Sequence, residues 1–133
     1  MTPALLAIIY LSFVSLGLPD GLLGAAWPPM HSDLGAAVSL AGTISVVICL
    51  GTIVSSLMTD RLVRRLGTGR LTAASVAMTA VALFGFSTCT ALWQLVLWAI
   101  PYGLGAGAVD AALNAFVATH YAARHMNWLH CCW

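Results

Sequence analysis

Asp20 and Asp110 both lie inside long apolar runs, and Asn114 follows the second of them by four residues. A carboxylate among hydrocarbon side chains is costly when charged, so it persists where it pairs, binds or exchanges a proton. Four residues make about one helical turn, which puts Asp110 and Asn114 on one side of a helix, where both can serve one cavity. Gly103 and Gly107 lead into them at intervals of four and three, so small residues, a carboxyl and an amide form one stripe. Asp20 sits in a similar setting, between Gly17 and Gly24. Such groups can take up and release protons and can hydrogen-bond a polar solute. The plainer alternative is a hydrogen bond to a neighbouring helix, and for the glycines close helix packing is the natural reading. The second apolar run has a comparable small-residue stripe in Gly42, Ser45, Cys49, Thr52 and Ser56.

A second cluster differs in kind. Asp60, Arg61, Arg64 and Arg65 fall within the one densely charged stretch of the chain, between Asp60 and Arg70. An acid at a helix end followed by arginines suits a membrane surface, where the arginines anchor the chain on one side.

The elements that must carry these residues follow from composition. Of 133 residues, 61% are apolar and 7% are charged. Soluble domains carry about 25% charged residues, so most of this surface faces lipid. A membrane helix needs about 20 apolar residues, and four windows meet that need, at about 4–27, 36–58, 71–89 and 92–118. Pro28-Pro29 is expected to stop the first, because proline lacks an amide hydrogen and clashes with the preceding turn. Thr88-Cys89-Thr90 makes a short turn between the third and fourth. The last residues, 126–133, read as the start of a fifth span. The fold class is therefore all-α, a polytopic set of membrane helices.

All five arginines fall after the second and fourth windows. By the positive-inside rule those connections and the N-terminus are cytoplasmic. The expected location is the cell membrane, plasma or inner. A break partway into a fifth span reads as a fragment of a longer protein.

Several function classes are excluded on the same grounds. A net charge of +1 provides no basic face for nucleic acid. Gly103-x-Gly105-x-Gly107 lacks the strand that a dinucleotide loop requires. His125, His130, Cys131 and Cys132 lack zinc-site spacing, so no metal and no cofactor are expected. The two acids lack the motifs of intramembrane aspartyl proteases, and an enzyme is not expected. A complete small four-helix transporter working as a dimer is a further alternative.

The charged stretch resembles the motif G-x-x-x-D-R-x-G-R-R that joins helices two and three in the major facilitator superfamily. Asp60, Arg61, Arg64 and Arg65 stand in register, with Ser56 and Val63 at the two glycine positions. The stretch Gly103 to Asn114, with its acid and its asparagine four residues on, looks like the fourth helix of fucose–proton symporter-type permeases. Asp20 matches their acid in helix one, and Met126-Asn127-Trp128-Leu129-His130 is similar to the start of their fifth helix. The resemblance implies the first four helices, and the start of the fifth, of a twelve-helix fold: part of its N-terminal six-helix domain. It implies sugar–proton symport by alternating access in a parent that supplies the missing C-terminal half, the fragment itself being inactive. Asp110 and Asn114 would then face a small-molecule substrate such as a sugar, and Asp20 would couple protons. Asp60 and the three arginines would form a cytoplasmic gate. Efflux, or carriage of a solute other than sugar, is the alternative within the same family. Gly17-x-x-Asp20 and Gly107-x-x-Asp110 also match across two helices of opposite direction, as inverted repeats would.

Overall fold

The computed structural model describes residues 3–131; within the first helix the side chains of residues 3, 18, 20, 22 and 23 lie outside the described set, as do residues 132 and 133. Five helices follow in order: α1 (Pro3–Asp33), α2 (Leu40–Leu66), α3 (Thr68–Ser87), α4 (Leu92–His120) and α5 (Ala123–Cys131). Among the described residues α2, α3 and α4 are each long and apolar enough to cross a membrane. The described apolar stretch of α1 is Ala4–Gly17, within a helix of 31 residues.

The first helix does not stop at Pro28-Pro29 but runs through both prolines to Asp33. Each proline removes one amide, which would free the carbonyls of Gly24 and Ala25. Those two residues and both prolines are exposed, so the freed groups are open to their surroundings. The true stop is Gly35, at φ +60. The Ala36 amide donates to the His31 carbonyl at 2.8 Å and the Gly35 amide to that of Ser32 at 3.3 Å. This is the Schellman pattern, whose left-handed residue glycine adopts without strain. The Trp27 indole then ties the helix end to the Val38 carbonyl at 3.1 Å.

The charged stretch is also more ordered than the composition suggested. Asp60, Arg61, Arg64 and Arg65 lie in the last turns of α2 rather than in a loop, and the connection to α3 is Gly67 alone. The intervening residues favour a helix, and arginines in a last turn complement the partial negative charge there. Gly67 has φ +80 and ψ 153, a region close to glycine-only.

α4 is the central element, with α2 and α3 as its main partners. Its glycines alternate between them. A Cβ added to Gly103 would lie 2.4 Å from the Ile48 carbonyl oxygen, and one on Gly107 would lie 2.4 Å from that of Thr52, both on α2. One on Gly105 would lie 2.8 Å from the Ser75 carbonyl oxygen on α3. Residues two apart on a helix differ by about 200°, so one run of glycines brings two neighbours within backbone reach. α1 and α5 join α4 through a separate apolar cluster of Ile9, Phe13, Leu16, Val109, Leu113, Val117 and Leu129.

Candidate polar site on the fourth helix

The site begins with the seam that fixes α4 on α2. Small residues let the two backbones touch, and two hydroxyls then cross the gap. The Thr52 hydroxyl donates to the Gly103 carbonyl at 3.3 Å and to the Ile48 carbonyl at 3.0 Å. The Ser56 hydroxyl donates to the Gly107 carbonyl at 3.2 Å. Ser56 stands at the first glycine position of the charged motif, and here it bonds the neighbouring helix. The seam uses Ile48, Gly51, Thr52, Ser55 and Ser56. Of the stripe expected from the sequence, Gly42 has open space around it and Cys49 is exposed.

Beyond the seam α4 presents Asp110 and Asn114, both half-buried. The Asn114 side-chain amide donates to Asp110 Oδ1 at 2.9 Å. The Asn114 carbonyl oxygen is buried and accepts no hydrogen bond among the described residues. The pair thus leaves acceptors unused: that amide oxygen and the remaining capacity of the carboxyl group. A hydroxyl-rich solute could donate to them. His130 on α5 follows the buried Leu129 and stands edge-on to Phe13, with ring centroids 6.4 Å apart. From the sequence, His130 is discounted as a metal ligand and falls in the stretch that is similar to the start of a fifth helix.

Asp20 lies within α1, but its side chain is outside the described residues. Cys132, with the end of the expected fifth span, also lies outside them. The charged cluster lies beyond the same end of the seam as the Asp110 pair, and among the described residues no hydrogen bond or ion pair joins the two. Asp60 and Arg64, one turn apart and both exposed, form an ion pair. Asp60 also borders a cavity of about 370 Å³ between α2, α4 and the start of α3, lined in part by Ser56, Thr59, Thr119 and His120. Arg61 and Arg65 are exposed on the same helix end. An exposed pair of this kind adds little to stability, so a role for it rests on what it meets.

Comparison with known proteins gives one match. The sequence model of the Major Facilitator Superfamily matches residues 9–127. No curated protein matches the chain, and no solved structure does. With that match spanning α1 to α5 and three helices of membrane length, the chain belongs to the Major Facilitator Superfamily, a family of multi-pass membrane proteins that transport small molecules and are not enzymes.

Proposed function

We propose that the chain is part of the N-terminal half of a twelve-helix sugar–proton symporter, with Asp110 and Asn114 contacting the sugar and Asp20 carrying the coupled proton. The observation that bears most weight is the Asn114–Asp110 bond on a half-buried face of α4, with a buried amide oxygen left to accept. A carboxyl and an amide one turn apart suit the adjacent hydroxyls of a sugar, because both supply acceptors at fixed spacing. Asp20 falls on the helix that packs beside α4 through Ile9, Phe13 and Leu16. In this reading solute movement requires a second domain that rocks against this one. Asp60, Arg61, Arg64 and Arg65 then form the cytoplasmic gate, with Asp60 and Arg64 pre-paired. The N-terminus and the arginines face the cytoplasm of a cell membrane, as the charge asymmetry supports.

The test uses the transporter that contains this segment, reconstituted in proteoliposomes with an imposed inward proton gradient and a panel of labelled monosaccharides. Accumulation of at least one sugar, abolished by a protonophore, is the expected result. Gradient-independent equilibration would remove proton coupling, and indifference to every sugar would remove the substrate class.

A further inference from the structure

The cavity of about 370 Å³ between α2, α4 and the start of α3 has a one-sided chemistry. Its hydroxyls have largely spent their hydrogens on backbone carbonyls. Ser56 donates to Gly107 at 3.2 Å, Thr59 to Ser55 at 2.8 Å and Thr119 to Ala115 at 2.9 Å. Each of these oxygens then has only lone pairs to offer the space it lines. Asp60 lines the same space and adds carboxyl acceptors. On the α4 side stands His120, whose Nδ1 lies 3.0 Å from the Phe116 carbonyl oxygen and 2.7 Å from the Thr119 hydroxyl. A carbonyl can only accept, so Nδ1 carries the hydrogen. In the neutral ring Nε2 is then a bare acceptor, and it is the atom to which a proton adds. The ring is stacked on Phe116 with centroids 4.4 Å apart, so its place is fixed while its charge changes.

We propose that this cavity seats an ammonium or guanidinium group from the missing C-terminal half, and that protonation of His120 expels it. The proposal rests on the reading of Asp60 as part of a cytoplasmic gate, and it supplies that gate with a partner and a control. Neutral His120 completes a set of acceptors suited to a donor-rich cation. The imidazolium offers a donor and a positive charge instead, which repels the incoming cation and competes for Asp60. Histidine is the side chain whose charge changes between about pH 5 and 8. Asp60 and His120 are the titratable groups that line the cavity; Arg64 is bound to Asp60 from the same helix. The start of α3 contributes the Thr68 hydroxyl, and its Arg70 is exposed. Behind Phe116 stands Tyr121, which meets His125, and Arg124 is exposed. Acid on the cytoplasmic side therefore favours the open gate.

Ala115 lines the cavity and is exposed, so a cysteine there reports whether the seat is filled. The parent transporter, its own cysteines replaced by serine, carries Ala115→Cys in inside-out vesicles. The rate of labelling by an impermeant maleimide is divided by that of the unfolded chain at the same pH, which removes the titration of the thiol itself. Labelling should be about threefold faster at about pH 5.5 than at about pH 8, the size expected between exposed charges. His120→Gln should be slow at both pH values, and His120→Lys fast at both. A rate that ignores pH in wild type, or a pH response that survives in His120→Gln, would overturn the proposal and leave the gate reading standing. Asp60→Asn should be fast at both pH values. Slow labelling in that variant would remove Asp60 from the seat and overturn the proposal together with the gate reading.

Discussion

The Asn114 amide nitrogen lies 2.9 Å from Asp110 Oδ1, one turn down the same helix, and this bond orders the polar face of α4. It commits an amide donor to the acid and leaves the amide oxygen, buried and unbonded among the described residues, as an acceptor. If that face holds solute, Asp110→Ala and Asn114→Ala should each weaken apparent sugar affinity about tenfold, the loss of one hydrogen bond to a charged or buried group. The double variant should fall short of the product, because the two groups share one bond. Unchanged uptake kinetics in both single variants would take them out of the site.

The α2–α4 seam should be intolerant of added bulk. Gly103→Ala and Gly107→Ala each place a methyl group 2.4 Å from a carbonyl oxygen, which forces the helices apart. A cost of about 1–3 kcal/mol is expected, read as a lower melting temperature in detergent. Gly42→Ala, with open space around it, should be neutral or mildly stabilising. The crossing hydroxyls matter less: Thr52→Val and Ser56→Ala should each cost about 0.6 kcal/mol, typical of interhelical hydrogen bonds in membranes.

The single-residue connection between α2 and α3 should depend on glycine. Gly67→Ala forces a side chain into a backbone region at φ +80 that is nearly glycine-only. About 1–3 kcal/mol of destabilisation is expected by the same thermal assay. Gly69→Ala, three residues from Leu66 and free of neighbours, serves as the control.

Much of this architecture can be read from residue order, and the exceptions have physical causes. The second, third and fourth windows carry α2, α3 and α4 because apolar length alone dictates a lipid-spanning helix. The Asp110–Asn114 bond follows from the four-residue interval. Two boundaries went differently. Pro28-Pro29 did not end α1, because exposed prolines at a helix end release carbonyls that need no protein partner, while Gly35 held the decisive left-handed turn. Asp60 to Arg65 looked like a loop because hydropathy falls there, yet a fall in hydropathy ends a span and not a helix. The stripe expected on α2 meets α4 at Thr52 and Ser56 but not at Gly42 or Cys49. Small residues can line several faces, and only the contact with Gly103 and Gly107 selects Thr52 and Ser56 over Cys49.

Orientation is open to a chemical test. In a chain whose cysteines are replaced by serine, Gly69→Cys lies at the arginine-bearing end of α3, is exposed and has nothing nearby to shield it. A membrane-impermeant maleimide should label it only after right-side-out vesicles are opened. Labelling of intact vesicles would reverse the assigned topology.

The most direct test of the central claim compares two modes of movement of one sugar in proteoliposomes bearing the transporter that contains this segment. Proton-driven uptake and equilibrium exchange are measured for wild type, Asp20→Asn and Asp110→Asn. The account predicts that Asp20→Asn loses driven uptake yet keeps much of its exchange, while Asp110→Asn loses both through weaker binding. Equal loss of uptake and exchange in Asp20→Asn, or full retention of both in Asp110→Asn, would contradict it.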